Sequence, residues 1–177
     1  MKYIYVIGPF PPPVHGMAKN LKLMHDDLMK INENVIGLDI SPRSLNRGVG
    51  YHLKKIHKVS LALFRLFKGI LKKEVKAVYM PPDGGLGLFY SMLFFLLSSL
   101  SSSNIFLHHR SFAYINRYNK FMKVISKFNR RNTHHIFLCD CMAAKFQVTY
   151  GEVSNYRVVS NATYVTLNSI NRLSAPN

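Results

Sequence analysis

Cysteine is scarce. The only two in the chain, Cys139 and Cys141, stand one residue apart, whereas a secreted disulfide framework of this size uses several well-spaced pairs. A reducing cytosol is therefore expected. Acidic residues are nearly as sparse: eight Asp and Glu oppose 24 Lys and Arg, for a formal net charge of +16. Such an excess must face water, a polyanion or an anionic surface. Long hydrophobic runs are missing too. The most apolar stretch, residues 86–100, falls short of the roughly 20 residues that span a bilayer and is interrupted by Ser91, Ser98 and Ser99. The apolar run at residues 3–7 is shorter than the roughly 7 to 15 residues at the heart of a signal peptide. The first reads as a buried helix and the second as a strand.

What is present suffices for a packed interior. Of the 177 residues, 48% are hydrophobic, 12% aromatic and 18% charged, which excludes a disordered chain and fits one substantial domain. Residues 2–7 form a short β-rich run, stopped by Gly8 and the prolines 9, 11, 12 and 13. Met17, Leu21, Met24, Leu28 and Ile31 then recur at steps of four and three, the spacing of one helix face. The same reading predicts strands over 35–40, 75–80, 105–108, 135–139 and 156–159, and helices over 51–73, from 86, through 112–128 and over 142–150. Strict alternation of strand and helix implies parallel strands with helices on both faces of the sheet. The expected fold class is α/β, Rossmann-like, with a mostly parallel sheet.

Ligands of such sheets sit outside the carboxyl ends of the strands, so the residues just past each strand are the candidates. After the first strand, GPFPPPVHGMAKN offers His15 and Gly16, the latter starting a helix whose free N–H groups can receive an anion. The G-x-G-x-x-G dinucleotide fingerprint is absent, and no cofactor is expected. Asp39, near the end of the second strand, keeps a nucleotide-binding reading open. Asp83 lies in the turn after the third strand. After the fourth, IFLHHRSF places His108, His109, Arg110 and Ser111 where the strand meets the next helix. Adjacent strand residues point to opposite faces, so at most one of the two histidines is expected to face a cleft squarely. An imidazole there can donate a hydrogen bond or act as acid or base, and Arg110 can bind phosphate. No carboxylate or thiol lies at ligand spacing from either histidine, and His134 and His135 open their own strand, read as the far end of the sheet. No metal site is expected. Cys139 and Cys141 are too close for a redox or zinc pair and read as small thiols.

In order, the segments GPFPPPVHGMA, YMPPDGGLG, IFLHHRSF, IFLCDCMAAKFQVTYG and YRVVSNATYV resemble the N-terminal domain of GT-B-fold glycosyltransferases of family 4, from the first residue to about residue 165. The resemblance implies a retaining enzyme that builds bacterial cell-surface glycans such as capsule or lipopolysaccharide. It implies that Gly16 matches the second glycine of a Gly-Gly pair near the donor diphosphate, with His15 at the first. It implies that His109, by its offset from Ser111, is the histidine lining the reaction centre, with His108 in reserve, and that Asn161 leads towards a nucleotide-sugar-binding C-terminal domain. The family's two donor-site glutamates separated by seven residues are missing, since the glutamates here are Glu33, Glu74 and Glu152. The domain reading is accordingly a Rossmann-like unit over 1–164 and a tail or truncated linker over 165–177. Its implied role is the acceptor-binding half, which takes a glycan or lipid-linked acceptor and meets a nucleotide-sugar donor only with a C-terminal domain or partner chain.

The charge is concentrated. Residues 51–76 carry Lys54, Lys55, Lys58, Arg65, Lys68, Lys72, Lys73 and Lys76 against one acid, Glu74, beside the apolar Leu53, Ile56, Leu63, Phe64, Phe67, Ile70 and Leu71. Residues 110–131 add seven basic residues and no acid. Basic residues flanking an apolar stripe suit a helix lying on an anionic membrane, with Lys54, Lys55, Lys58, Lys68 and Lys72 as its contacts. A place in the cytoplasm, peripheral to the inner face of the plasma membrane, is expected. The alternative is a non-catalytic basic module that binds anionic membrane or nucleic acid; no nucleic-acid motif supports the latter.

Overall fold

The computed structural model describes residues 1–43, 48–129 and 131–160; Asn161 and the tail lie outside them. Six strands, β1 (Tyr3–Gly8), β2 (Val35–Asp39), β3 (Val75–Met80), β4 (Asn104–His109), β5 (Thr133–Phe137) and β6 (Tyr156–Val158), form one sheet in the order β2-β1-β3-β4-β5-β6. Every pairing is parallel. Between them run α1 (Gly16–Lys30), α2 (Val49–Leu71), a 3₁₀ turn (Gly85–Gly87) leading into α3 (Leu88–Ser98), α4 (Ala113–Asn116), α5 (Lys120–Lys127) and α6 (Asp140–Tyr150). The α/β, Rossmann-like fold expected from the alternation is what the chain adopts, and the sheet expected to be mostly parallel is parallel in every pairing among the described residues.

The strand order dictates where the helices go. A parallel crossover is right-handed. The step from β1 to β2 runs one way across the sheet and every later step runs the other way, so α1 takes one face alone and the remaining helices take the opposite one. Side-chain alternation follows suit. Val6 and Tyr79 pack with Leu21, Met24 and Leu28 of α1. Tyr5, Ile7, Val78, Met80, Ile105, Leu107 and Phe137 instead join Val59, Ala62 and Leu66 of α2, Phe94 and Phe95 of α3, Met122 and Ile125 of α5 and Phe146 of α6 in the main core. α1 packs on β1 and β2, and the same face towards β5 and β6 holds a cavity of about 640 Å³ walled by Phe106, His134, Ile136 and Arg157. α2 crosses close over β1 because residue 69 is glycine: the Tyr5 hydroxyl occupies the space a β-carbon would need there.

The helix expected through 112–128 is two. Arg117 and Asn119 are extended, and the Asn119 side chain restarts the helix by accepting from the Phe121 N–H at 2.9 Å. Its own N–H donates to the Tyr150 hydroxyl of α6 at 2.9 Å. The spacing of six between Ile115 and Phe121 is the trace of that break. Cys139 caps α6, its sulfur accepting from the Met142 N–H at 3.4 Å, while Cys141 is exposed.

Candidate functional site

The direction of chain progress reverses between β1 and β3, and the loops leaving these strands and β4 meet at the carboxyl end of the sheet. Asp39 ends β2 there, but it is fully engaged. Its carboxylate accepts from the N–H groups of Phe10 at 3.2 Å and Ser41 at 2.8 Å and pairs with the Lys58 ammonium at 2.8 Å. It ties the loops after β1 and β2 to helix α2, which leaves the nucleotide-binding reading of Asp39 without a free carboxylate. His15 caps α1, Nδ1 accepting from the Ala18 N–H at 3.4 Å. A β-carbon at Gly16 would meet nothing within 4 Å, so the helix start is open to solvent at that point.

The two histidines of β4 part as the pleat requires. His109 turns into the main core with no exposed surface. Its ring stacks on Phe137 at a centroid distance of 4.5 Å and lies 4.7 Å from Phe146. Nδ1 is 3.0 Å from the Tyr114 hydroxyl and Nε2 is 2.8 Å from Nδ1 of His135. His135 therefore does not stand at the far end of the sheet from His109. Register pairs His109 with Phe137, so His135, two residues back on the same face, is the diagonal neighbour and its ring reaches across. The reserve candidate, His108, is buried as well, with 1% of its surface exposed. His108 faces the α1 side at the end of its strand, with Nδ1 2.6 Å from the Tyr79 hydroxyl and 3.4 Å from a guanidinium nitrogen of Arg110. Both neighbours donate, so Nδ1 is the acceptor and the proton sits on Nε2, which is buried with no partner among the described residues. Burial, and then the Arg110 charge, push the His108 pKa down to about 3.

Burial likewise drives His109 far below its ordinary value and His135 to about 4. All three are neutral at pH 7. As pH falls below about 6.5 the unfolded chain binds protons at these positions that the folded chain refuses, so stability is full above the unfolded pKa and is lost towards pH 4. The slope approaches ~1.4 kcal/mol per pH unit for each histidine once its unfolded form is protonated. Urea midpoints at pH 7, 6 and 5 should decline in that order; an unchanged midpoint would contradict the neutral assignment.

Beside these loops lies a groove that no single motif reveals. Two adjoining cavities, of about 540 and 670 Å³, share Gly85, Leu86 and Phe121 in their walls. Tyr51, His52 and Lys55 of α2, Asp83, Phe89 and Tyr90 line the first. Tyr114, Arg117, Tyr118, Asn119 and Lys120 line the second. The third and fourth loops close one end together: a β-carbon at Gly84 would stand 3.1 Å from the Ser111 hydroxyl. Asp83 is braced by the Gly84 N–H at 2.8 Å and covers Gly87, where a β-carbon would collide with its carboxylate. Ser111 accepts from the Ala113 N–H at 3.2 Å.

Lys55 is the unexpected member. It is 9% exposed, its amine lies 5.9 Å from the Tyr90 ring centre, and among the described residues no carboxylate comes within ion-pair distance. Burial lowers its pKa, while the more distant charges of Asp83 and Asp39 pull the other way. A buried cation without an ion-pair partner, lining a cavity, is a place for an anion. Its sequence assignment to the membrane face is thus corrected, because the helix turns position 55 inward. Lys58 is corrected with it, being half-buried and paired with Asp39. Lys54, Lys68 and Lys72 are exposed. Among the described residues no group of three or more His, Cys, Asp or Glu comes together to hold a metal ion.

The parallel sheet, the helices on both its faces and the groove at its carboxyl edge define a Rossmann-like α/β domain. No protein-family model matches the chain, and no curated protein sequence does. Among solved structures it is similar to that of MurG from Acinetobacter baumannii, at 14% identity and a TM-score of 0.41, over 90% of this chain and 46% of that one. The chain thus spans less than half the length of that protein.

Proposed function

We propose that this chain is the acceptor-binding half of a bacterial glycosyltransferase for cell-surface polysaccharide or lipid-linked glycan, inactive in transfer without a donor-binding domain. The Rossmann-like fold agrees with the N-terminal half of a GT-B enzyme, the resemblance carried by the ordered motifs. The supporting observation is the groove. The YMPPDGGLG and IFLHHRSF loops converge on it, and Lys55 stands in its wall buried and without an ion-pair partner. An acceptor suited to this lining has an anionic group for Lys55, apolar surface for Leu86, Phe89 and Phe121, and hydroxyls for Asp83, the one acid in the walls. Arg110, next to Ser111, supplies a donor nearer the centre of the sheet edge. A nucleotide sugar would meet the acceptor from the side of a C-terminal domain or partner chain.

Farnesyl diphosphate, which joins an anionic head to an apolar tail, is a suitable probe. In titrations followed by amide NMR its shifts should centre on residues 51–55, 83–90 and 117–121. Lys55→Gln should weaken binding about tenfold, equivalent to ~1.4 kcal/mol, and leave the unfolding midpoint unchanged or raised, since a buried charge is removed. Unaltered affinity in Lys55→Gln would remove the groove from the acceptor reading.

A further inference from the structure

The sequence shows one amphipathic helix over residues 51–73, but α2 has two apolar sides. Its inner side, Val59, Ala62, Leu66 and Gly69 together with Lys55, is buried against the sheet. A second series, Leu53, Ile56, Phe64, Phe67 and Leu71, points away from it, with 64%, 50%, 57%, 42% and 65% of each residue exposed. At 100° per residue these five fall within about 80° of arc around the helix. Lys54, Arg65, Lys68 and Lys72 fall together beside the stripe, on the edge that faces β2, where Lys58 meets Asp39. Leu63 and Ile70, half-buried, occupy its other edge.

Beyond that edge the surface stays apolar. α3 packs next to α2 and α5 next to α3. The sequence of α3, LFYSMLFFLLS, contains no charged residue; Phe89 and, just past its end, Leu100 are exposed, and Met92, Leu93, Leu96 and Leu97 are half-buried. Then α5 presents Lys120 and Lys127, both exposed, beside Lys123, whose ammonium donates to the Tyr150 carbonyl of α6 at 3.2 Å. The outer helical layer is therefore an apolar band with a row of cations along each margin, and α2, α3 and α5 contribute no acid to it. A contiguous exposed apolar patch marks an interaction surface, and the paired cationic margins select an occupant that is apolar within and anionic at its surface.

We infer that the outer face of α2, α3 and α5 docks on an anionic lipid bilayer, the α2 stripe and α3 entering the acyl boundary while the flanking lysines and arginine meet the headgroups. No helix among the described residues is long and apolar enough to cross a membrane, so attachment through this face is interfacial and reversible. The groove opens at the first turns of α2 and α3, through Tyr51, Lys55, Phe89 and Tyr90, on the margin of the same face. An amphiphile held in the bilayer would reach Lys55 with its head while its tail stays in lipid. The docking itself stands apart from the acceptor reading and survives if the groove binds nothing.

Co-sedimentation with vesicles of phosphatidylcholine and phosphatidylglycerol at 3:1 tests it. The full chain should bind these and only weakly bind phosphatidylcholine alone. Phe64→Ser/Phe67→Ser should cut partitioning at least tenfold even at low salt, and Lys54→Gln/Lys68→Gln/Lys72→Gln on the order of a hundredfold. Both variants alter exposed side chains, and their urea midpoints serve as the control for folding; Leu53→Ser/Leu71→Ser at the two ends of the stripe provides an independent pair. Vesicle binding that ignores every serine substitution would overturn the inference, since charge alone would then suffice. So would tighter binding to duplex DNA at the same salt, or a concentration-dependent dimer that the serine variants abolish while the wild type leaves vesicles in solution. The Lys55→Gln variant should sediment like the wild type, which separates failure of the groove from failure of the face.

Discussion

Replacing His109 by alanine should destabilise the domain by about 3–5 kcal/mol, a large part of the ~5–15 kcal/mol that holds a domain of this kind folded. The ring fills a fully buried site between Phe137 and Phe146, so its removal opens a cavity. It also strands Nδ1 of His135 and takes one partner from the Tyr114 hydroxyl, which keeps its hydrogen bond with the Ser111 backbone. Because Tyr150 of α6 reaches the Tyr114 carbonyl, the loss passes into the contact of α4 with α6. His108→Ala removes one ring at the strand end and its bond to Tyr79, for about 1–2 kcal/mol. Urea denaturation of the two variants measures both. Equal midpoints for His109→Ala and the wild type would refute the packing account and return His109 to the cleft, where the motif resemblance puts it.

On its own the chain should turn over no nucleotide sugar, by transfer or by hydrolysis, above the rate of a blank. Departure of the nucleotide needs groups that neutralise the developing diphosphate charge, and loss of even one such donor typically costs 10²–10³ in kcat. The glutamate pair of the resemblance has no counterpart here. Adding a C-terminal donor domain that carries paired glutamates should restore transfer. In that reconstituted system Lys55→Gln should raise KM for the acceptor with little change in kcat. Robust turnover by the purified chain alone would sink the half-enzyme reading.

The two histidines show how far sequence reasoning carries. Adjacent positions on a strand must face opposite ways, so the statement that one of His108 and His109 at most meets the cleft followed from the pleat alone. What each then packs against depends on whether α1 or the other five helices lie on its face, and that is decided by the direction each crossover takes across the sheet; both rings end up buried. The offset from Ser111 pointed to His109 and could not register that the face it points to is packed by α6. The His109–His135 bond was out of reach for a related reason, because 26 residues separate partners that only strand register brings together.

Lys55 makes the same point on a helix. A lysine among lysines reads as solvated, and the signal that would have separated it is its phase: it shares the arc of Val59, Ala62 and Leu66, not that of Lys54 and Lys68. Local chemistry along the chain was enough to determine the alternation of strands and helices, the parallel sheet, the carboxyl-edge loops and the cationic surplus, because each of these follows from short-range periodicity, turn residues and composition. Which apolar arc of α2 meets the core, which of its lysines turns inward, and how Gly84 and Ser111 close one groove were decided only by the tertiary structure. A periodic pattern defines the faces of an element, but only the packing of the whole sheet determines which face is left for a partner.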